Sequence, residues 1–371
     1  MDEMTEINGL RESFTREEYI SPEIFGREMR TIFSTNWCFA GLAQDLGKIG
    51  DRIVAEIGNE SILIVRNREN QLRAFYNVCQ HRGSQLCDAS GKGFGAAITC
   101  PYHAWSYSLE GELVATPLHE KESIDRSAIS LQTVRVAEWQ GFIFVSLDPN
   151  APDLMQWLDE HYSRPRDLEK FGMTGLKNAK RTVDEVEANW KVLGENYSEC
   201  LHCAVVHPEL VDLVPIYKTG NTIQENRDDW GVSLTEGATA LSYKQNENLP
   251  LLPTMDDLDD YSVFGAYVYP NMLIDISPTV AVITRYVPRS ATHTTIFTDY
   301  LFPAEVVDNE NFDLEPTINF SDLVNQQDIS VCVRVQRGVA SRSFTRAYHT
   351  KMERYCRHLV RRYRDEISKT S

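Results

Sequence analysis

The sequence contains no apolar run long enough to span a bilayer, and it has no internal repeat or low-complexity segment. Its first residues, Met1-Asp-Glu-Met-Thr-Glu, are acidic and do not place a basic region before an apolar segment, so they do not form a secretory signal. We therefore expect a cytoplasmic protein without a membrane-spanning segment.

Basic residues are scarce relative to acidic ones, because 37 Lys and Arg stand against 54 Asp and Glu and give a net charge of −17. Nucleic acids attract Lys and Arg through their phosphates, so this balance argues against a nucleic-acid partner. It is compatible with a cationic substrate or a basic protein partner. A nucleotide-binding fingerprint is also missing, since the glycine-rich stretch Gly91-Lys-Gly-Phe-Gly95 does not open a helix after a strand.

What the chain does have is size and an ordinary globular composition. Its 371 residues, 42% apolar and 25% charged, are enough for two domains and a sizeable core. It also contains eight cysteines. An even number suggests disulfides, but a long chain without an export signal favours metal binding or free thiols.

The pattern of residue types predicts an α+β fold in three segments. Residues 1–36 are predicted to be helical, with Thr15 and Ser21 as helix caps, and to pack on the last domain. Residues 37–150 contain short β-branched and aromatic runs separated by Gly, Asn and Asp, which is typical of a small antiparallel β domain. Residues 151–371 follow a turn-rich linker and are predicted to form an antiparallel sheet flanked by helices.

Within the last domain, helical and strand patterns alternate. Helices are predicted over residues 154–171, from Trp190 onward, over 319–337 and over 342–367. Gly338 is placed to end the third of these helices. Residues 228–304 contain five β-rich runs and predict the antiparallel sheet.

Two loops of the β domain carry the strongest chemical signal. Cys79-Gln-His81 and Cys100-Pro-Tyr-His103 each offer one thiolate and one imidazole. A zinc site more often takes two cysteines from one loop and two histidines from another. A mixed pair from each loop suits a [2Fe–2S] cluster in which two cysteines hold one iron and two histidines hold the other. Cys87 lies between the loops and does not fit this pairing, so we interpret it as structural.

A second set of candidate ligands lies in Glu195-Asn-Tyr-Ser-Glu-Cys-Leu-His-Cys-Ala-Val-Val-His207. It offers two imidazoles, His202 and His207, and on a helix Glu199 would share a face with His202. Two imidazoles and one carboxylate make the three-ligand site of a non-haem ferrous oxygenase, which keeps open positions for O2. The alternative is an ordinary buried helix with two hydrogen-bonded histidines.

The carboxylate must come from a distant segment, and Asp328 is the best candidate. On a helix it shares one otherwise apolar face with Val331, Cys332 and Val335. A lone carboxylate on a buried face needs a partner, and a metal is a sufficient one. Asp322 is the second candidate.

These motifs together resemble the Rieske-type ring-hydroxylating oxygenases. Phe75-Tyr-Asn-Val-Cys-Gln-His-Arg-Gly followed by Cys-Pro-Tyr-His-Ala-Trp is similar to the cluster signature, and residues 195–208 are similar to the mononuclear-iron motif. The resemblance runs from about residue 37 to residue 338 and supports Asp328, since the ligand aspartate of the family precedes a Gln-Arg-Gly.

The family resemblance implies the cofactors and partners. The cofactors would be a [2Fe–2S] cluster and Fe(II), and the reactants O2 and a small molecule. Electrons would come from a separate NAD(P)H-dependent flavin or iron–sulfur reductase. The resemblance also implies a homotrimer, a head-to-tail ring that places each cluster beside the iron of the next subunit.

The resemblance further implies a role for Glu199, which would link His103 of one subunit to His202 of the next. Most relatives carry aspartate there, so the longer glutamate leaves the geometry of this bridge open. A solvent-facing helix glutamate is the alternative. Asn196 and Tyr197 are expected to line the site and to act in the reaction with Glu199.

Other residues near the histidines receive simpler interpretations. Cys200 and Cys203 flank His202 and are interpreted as small packing residues. Glu195 and Glu209 are interpreted as groups around the ligands or at the surface.

The motif Glu-Cys-x-His-Cys-x-x-x-His-Pro over residues 199–208 is similar to the choline, carnitine and glycine-betaine branch of the family. Members of that branch oxidise or demethylate quaternary ammonium compounds. Aromatic residues of the predicted sheet are candidates for a cage around a methylated ammonium group: Trp230, Phe264, Tyr267, Tyr269 and Phe297. The alternative is that these rings only pack in the core.

Three function classes follow from the sequence. The first is a terminal monooxygenase that hydroxylates a C–H bond next to nitrogen and releases formaldehyde from an N-methyl group. The second is the alpha subunit of an aromatic-ring dioxygenase with the same metals. The third is a pure electron carrier, which requires the second iron site to be absent.

Overall fold

The computed structural model describes residues 6–7, 9–93, 95–119, 124–162, 165–224, 231–244, 249–255 and 261–369. The chain divides into two compact units, which we call the small unit (residues 29–165) and the large unit (residues 1–28 with 166–371). Our division into domains at residues 36 and 150 stays a prediction. No helix among the described residues is both long and apolar enough to cross a membrane.

The N-terminal part of the large unit begins with strands. β1 (Glu6–Ile7) and β2 (Leu10–Thr15) pair antiparallel, and β2 also pairs with a strand near the C-terminal end of the chain. Helices α1 (Arg16–Ile20) and α2 (Pro22–Glu28) follow. The Thr15 cap is confirmed, because its side chain and that of Glu18 close a reciprocal capping box. The prediction of an entirely helical segment was wrong before Thr15, where pairing with a distant strand decides the conformation.

The small unit is a β structure, as predicted. It opens with a π-helical turn over Met29–Phe33. Its strands are β3 (Cys38–Leu42), β4 (Arg52–Ile57), β5 (Glu60–Arg66), β6 (Leu72–Tyr76), β7 (Ala97–Thr99), β8 (Ser106–Ser108), β9 (Leu113–Ala115), β10 (Thr133–Trp139) and β11 (Phe142–Ser146). Six of them form one antiparallel sheet in the order β3-β11-β10-β6-β5-β4, and β7-β8-β9 form a second one.

The helix that closes the small unit is shorter than predicted. Helix α3 covers Leu154–His161 and ends where Tyr162 turns extended, whereas the sequence pattern predicted a helix to residue 171. Pro165 then starts a separate 3₁₀ segment over Pro165–Phe171. A proline has no N–H to bond the carbonyl four residues earlier, so the helix cannot continue regularly through Pro165.

The large unit continues with a second antiparallel sheet surrounded by helices. Its elements are β12 (Leu176–Val186), α4 (Trp190–Tyr197), α5 (Cys203–Val206), α6 (Pro208–Leu213), β13 (Val232–Ser233), β14 (Ser262–Val268), β15 (Met272–Ile276), β16 (Ala281–Ser290), β17 (His293–Pro303), α7 (Ala304–Val307), α8 (Glu315–Val339), β18 (Arg346–His349) and α9 (Arg354–Ser368). The sheet order is β12-β17-β16-β15-β14-β13. The predicted α+β class is confirmed.

Three helix predictions in the large unit were wrong in their limits. The segment from residue 195 to 207 is not one helix, because α4 ends at Tyr197 and the Ser198 hydroxyl donates to the carbonyl of Gly194 at 2.6 Å. Gly338 does not end α8, which continues to Val339. The last predicted helix begins only at Arg354, because residues 346–349 are the strand that pairs with β2.

A buried ion pair holds α4 in the large unit. Glu28 and Lys191 have fully buried side chains, and their nitrogen and oxygen atoms are 2.5 Å apart. The Trp190 indole N–H and the Tyr363 hydroxyl also donate to Glu28, each at 2.9 Å. Burial lowers the pKa of Lys191, whereas the Glu28 carboxylate opposes this change. Lys191 therefore depends on Glu28 to remain charged inside the protein.

We expect Glu28→Ala to destabilise the large unit strongly, by about 3–5 kcal/mol, because it leaves the Lys191 charge buried and unpaired. Thermal and urea unfolding of the purified protein measure this change. The matched control is Glu17→Ala, which removes an exposed carboxylate paired with Arg16 and should change stability by less than about 1 kcal/mol. Equal effects of the two substitutions would contradict the importance of the buried pair.

Candidate metal centres

The two cysteine–histidine loops of the small unit have the same hydrogen-bond pattern. In each loop the cysteine N–H donates to the carbonyl five residues later, and the N–H four residues later donates back to the cysteine carbonyl. The distances are 2.8 and 3.0 Å in the loop of Cys79, and 2.8 and 3.1 Å in the loop of Cys100. Gly83 and Ala104 occupy the equivalent fourth positions with φ values of 72° and 57°. The loops therefore form a pair of matched backbone turns.

Within these loops the thiols and the imidazoles lie at different depths. Cys79 and Cys100 are buried in the core of the small unit, whereas His81 and His103 are partly accessible. The two imidazole rings are close, with centroids 4.8 Å apart, and the His81 ring stacks on Trp105 at 4.5 Å. Thiols on the inside and imidazoles at the edge match the unequal ligation of a [2Fe–2S] cluster with one all-cysteine iron and one all-histidine iron.

The chemistry of these four side chains fits such a cluster. Nδ1 of His103 is buried and has no hydrogen-bond partner among the described residues, so this nitrogen is left for a group that binds it. Desolvation and the neighbouring His81 and Arg82 lower the pKa of His103, which keeps the imidazole neutral as a metal ligand must be. Burial raises the pKa of Cys79, and the Tyr107 hydroxyl, 3.3 Å from its sulfur, opposes this change.

In the large unit, two histidines converge on one carboxylate oxygen. Nε2 of His202 is 3.2 Å and Nε2 of His207 is 3.0 Å from Oδ1 of Asp328, and the two imidazole rings are 5.2 Å apart. His202 lies just before α5 and His207 just after it, so one short helical turn separates them. Asp328 comes from α8, more than a hundred residues later. The structure thus brings together all three predicted ligands.

The opposite nitrogens of both histidines are held by hydrogen bonds. Nδ1 of His202 is 2.6 Å from Oε1 of Glu199, and Nδ1 of His207 is 2.8 Å from Oε1 of Gln327. Gln327 in turn donates to Oε2 of Glu209 at 3.0 Å. These contacts fix the ring orientation and direct both Nε2 atoms toward the common point, which is how metal-binding histidines are usually supported.

Electrostatics at this point favour a bound cation. Burial opposes protonation of His202, but hydrogen bonds with Asp328 and Glu199 raise its pKa to about 9. Burial also opposes ionisation of Asp328, but hydrogen bonds with the two histidines lower its pKa to about 2. Two imidazoles and a carboxylate that converge in this way form a donor set for a divalent metal with open coordination positions.

The two cysteines beside His202 are packing residues that are also joined to each other. Cys200 and Cys203 are buried in a cluster with Val211, as interpreted from the sequence. The structure also joins them in a disulfide, with Cα atoms 5.0 Å apart, so the expectation of free thiols was wrong for this pair. Sγ of Cys203 is also 3.8 Å from Nε2 of His202, but a disulfide sulfur lacks the thiolate charge of a metal ligand.

The predicted buried face of α8 was off by one position. Asp328, Cys332 and Gln336 follow each other at intervals of four residues, and Cys332 and Gln336 are buried. Val335, which we placed on this face, is 41% exposed. The alternative ligand Asp322 lies beside Tyr300, whose pKa it raises together with burial. Asp328 is therefore the aspartate that contacts the histidines.

The residues that precede the histidines line the same region. Nδ2 of Asn196 is 3.4 Å from Nε2 of His202. The Tyr197 hydroxyl donates to Oδ1 of Asp275 at 2.8 Å. Glu195 is partly buried and accepts hydrogen bonds from Ser13 and Tyr19, which tie α4 to the N-terminal segment.

Sequence reasoning missed two residues of this region. Gln327 stands directly before Asp328, and its role depends on the side-chain geometry of His207. Asp275 is the only charged residue in the apolar strand Met272–Ile276. A lone carboxylate in an apolar strand is the same signal that indicated Asp328, and it was present in the sequence.

The proposed aromatic cage is not assembled as predicted. Phe264 packs on Phe171 with ring centroids 4.9 Å apart, and the Phe297 ring lies 4.5 Å from the Arg285 guanidinium. Tyr267 is the candidate that lies near Tyr197, at 6.3 Å between ring centroids. Trp230 lies outside the described residues, and Tyr269 is buried beside Trp190.

Comparison with known proteins gives a consistent result for both units. The Rieske [2Fe–2S] domain model matches residues 36–137, and the model of the ring hydroxylating alpha subunit catalytic domain matches residues 173–369. The chain is 32% identical over 336 residues to the carnitine monooxygenase oxygenase subunit of Acinetobacter pittii, which covers 90% of this chain and 86% of the relative. It is 29% identical over 357 residues to the glycine betaine monooxygenase oxygenase subunit of Chromohalobacter salexigens, covering 87% and 78%.

Solved structures extend this similarity to the fold. A quaternary ammonium Rieske monooxygenase studied for carnitine oxidation by gut microbiota and inter-subunit electron transfer matches with a TM-score of 0.78 and 27% identity, over 96% of both chains. Naphthalene 1,2-dioxygenase from Rhodococcus sp. matches with a TM-score of 0.67 and 19% identity, over 91% of this chain and 85% of that one. The second match shows the fold alone.

We expect His202→Ala to remove the mononuclear metal while the cluster stays, because the two ligand sets share no residue. Iron analysis should fall from about three to about two atoms per chain, with the visible spectrum of the cluster unchanged. The control is His293→Ala, which removes a partly exposed histidine hydrogen-bonded to Glu185. Loss of the cluster spectrum together with the iron would contradict two separate centres.

Proposed function

Since this chain belongs to the family of ring-hydroxylating alpha subunits and carries a Rieske [2Fe–2S] domain, we propose that it is the terminal oxygenase of a monooxygenase acting on quaternary ammonium compounds. The observation that carries the oxygenase assignment is the convergence of His202 and His207 on Asp328. The resemblance stated from the sequence is confirmed at the level of the family, and with it the enzyme class, an oxidoreductase. The third function class, a pure electron carrier, is not supported, because the chain includes the catalytic domain.

The two cofactors of the family are a Rieske [2Fe–2S] cluster and a mononuclear iron. In this chain, Cys79, His81, Cys100 and His103 would hold the cluster. His202, His207 and Asp328 would hold Fe(II). When bound, the cluster supplies single electrons and the iron supplies a centre at which O2 is reduced.

The protein side chains have defined tasks around these centres. Glu199 and Gln327 accept hydrogen bonds from the Nδ1 atoms of the histidines, so they fix the tautomer that presents Nε2 to the metal. Asn196 places an amide 3.4 Å from His202 Nε2, at the edge of the open positions. The buried Trp105 and Tyr107 keep water away from the cysteine side of the cluster.

The substrate class is supported by independent observations. Two relatives with the same domain arrangement are named for carnitine and glycine betaine, and a structurally similar monooxygenase at 26% identity has been solved with L-carnitine. The net charge of −17 favours a cation. In the proposed reaction, one atom of O2 enters an N-methyl C–H bond, and the other becomes water with two electrons and two protons. The hydroxymethyl ammonium product then releases formaldehyde, a proton and a tertiary amine.

We also propose the arrangement that links the two centres. An oxygenase subunit needs a partner that supplies electrons, and here we propose an NAD(P)H-dependent flavin or iron–sulfur reductase. We propose a head-to-tail homotrimer in which Glu199 connects His202 to His103 of a neighbouring subunit. The contact of Glu199 Oε1 with His202 Nδ1 supports one half of this bridge, and the partly accessible edge of His103 supports the other.

The substrate proposal is tested by oxygen uptake and formaldehyde release with a surrogate reductase. Choline, glycine betaine and carnitine are compared with benzoate and other aromatic acids as substrates. We expect uptake coupled to formaldehyde with at least one methylated ammonium compound and none with the aromatic acids. Uptake with an aromatic acid only would instead favour the ring dioxygenase.

We expect Glu199→Gln to lower turnover by about 10- to 100-fold, because the amide is a weaker acceptor for the imidazole N–H of His202. Glu199→Asp, which keeps the charge and shortens the side chain by one methylene, should retain more activity. Iron content and the rate at which the reductase reduces the cluster should stay unchanged in both variants. A loss of iron in Glu199→Gln would show that this residue holds the metal site together and would not support a role between subunits.

A further inference from the structure

A buried carboxylate in the large unit has no role in metal binding. Asp275 lies in the middle of β15, and the other residues of this strand, Met272, Leu273, Ile274 and Ile276, are apolar and buried. The Asp275 side chain is enclosed by this apolar strand and is nevertheless partly accessible. Part of the carboxylate is therefore open.

This carboxylate is only partly satisfied by the protein. Tyr197 donates its hydroxyl proton to Oδ1 at 2.8 Å. Oδ2 has no hydrogen-bond partner, and neither oxygen forms an ion pair, within the part of the chain that the structure describes. Buried carboxylates are normally paired or fully hydrogen-bonded, so one oxygen of Asp275 is available to a ligand.

The space beside Asp275 exists because the neighbouring strand has a glycine there. Gly265 of β14 is the Cα partner of Asp275 and is exposed although it lies inside the sheet. A Cβ atom at Gly265 would lie 3.2 Å from the Tyr197 hydroxyl oxygen and 3.4 Å from Oδ1 of Asp275. A side chain at this position would contact both groups and cover the open part of the carboxylate.

The open part of Asp275 is linked to the segment of the proposed iron ligands. Tyr197, which contacts Asp275, ends the helix that precedes His202. In the register of the sheet, Tyr267 of β14 and Tyr286 of β16 lie on the same face as Gly265 and Asp275. The ring centroids of Tyr267 and Tyr197 are 6.3 Å apart.

The charge of Asp275 favours a positive group beside it. Burial, opposed by the Tyr197 hydrogen bond and supported by the charge of Asp328, raises the pKa of Asp275 to about 7. A positive charge placed next to Asp275 would favour the ionised carboxylate and compensate for its lost hydration. The tyrosine rings around it offer faces that also attract cations.

We propose that Asp275 binds the positively charged nitrogen of the substrate, in the space left by Gly265 and between the rings of Tyr197, Tyr267 and Tyr286. This inference rests on the proposed function and identifies the residue that recognises the cation. It also explains how the nitrogen is brought near the His202, His207 and Asp328 site, since Tyr197, which contacts Asp275, lies five residues before His202.

The test uses the metal-loaded protein and a pair of probes with the same shape. Choline carries a quaternary nitrogen, and 3,3-dimethylbutan-1-ol has a neutral carbon in its place. Calorimetric titration gives the Kd of each probe for the wild type and for Asp275→Asn, which preserves the size of the side chain and removes its charge. Oxygen uptake with choline gives KM and kcat separately for both proteins.

We expect the wild type to prefer choline, and Asp275→Asn to weaken choline binding by about 10- to 100-fold with little change for the neutral alcohol. KM for choline should rise more than kcat falls. Tyr197→Phe keeps the carboxylate and should retain the preference for choline. The charge control is Glu310→Gln, an exposed carboxylate, for which no change is expected.

Three outcomes overturn the assignment. In the first, the wild type binds choline and the neutral alcohol with equal Kd. In the second, Asp275→Asn weakens the binding of both probes equally. In the third, Asp275→Asn prefers choline as strongly as the wild type does. The wild-type comparison needs no substitution, so it tests the idea even if the variant does not fold. Failure of the wild type to consume any methylated ammonium compound would instead reject the proposed function. If the wild type consumes such a compound but Asp275→Asn keeps the preference for choline over the neutral alcohol, only the role of Asp275 is rejected.

Discussion

A carboxylate inside a protein must find a cation or several hydrogen-bond donors, because losing water costs several kcal/mol per charge. The large unit meets this requirement in different ways at different carboxylates. Glu28 is paired with Lys191, and Glu195 accepts hydrogen bonds from hydroxyl groups and lies beside an imidazole. Asp328 lies beside two imidazoles. Among the described residues Asp275 receives one hydrogen bond from a side chain, that of Tyr197, and in our proposal the substrate supplies the positive charge that completes its environment.

These polar contacts also explain how a helix of only eight residues can position the proposed iron ligands that follow it. A helix as short as Trp190–Tyr197 is not stable alone in water, so tertiary contacts must fix it. Lys191 and Glu195 anchor it to the N-terminal and C-terminal segments of the chain, and Tyr197 reaches the sheet at Asp275. The ligand histidines follow directly after this anchored helix. Their position therefore depends on polar contacts from several distant parts of the sequence.

The sequence predicted features that depend on local residue spacing. It missed features that depend on the pairing of distant segments. Ligand spacing indicated the two cysteine–histidine loops and the paired histidines, and an isolated carboxylate on a helix indicated Asp328. The strand Arg346–His349 looked helical because its conformation is decided by pairing with β2, more than 330 residues away. The role proposed for Asp275 depends on the sheet register, which places Gly265 opposite it. The contact between Cys200 and Cys203 required the helix to break at Ser198, which a helical pattern does not reveal.

The two imidazoles and the carboxylate of the large unit converge on one point, with their orientation already set by Glu199 and Gln327. Such a prearranged nitrogen–oxygen donor set binds copper and zinc ions more strongly than ferrous ions, because affinity follows the general order of divalent metals. Geometry alone therefore does not select iron in this protein. Which ion enters is decided by the supply of free metals where the chain folds, and protein produced with excess zinc would carry an inert ion in a well-formed site.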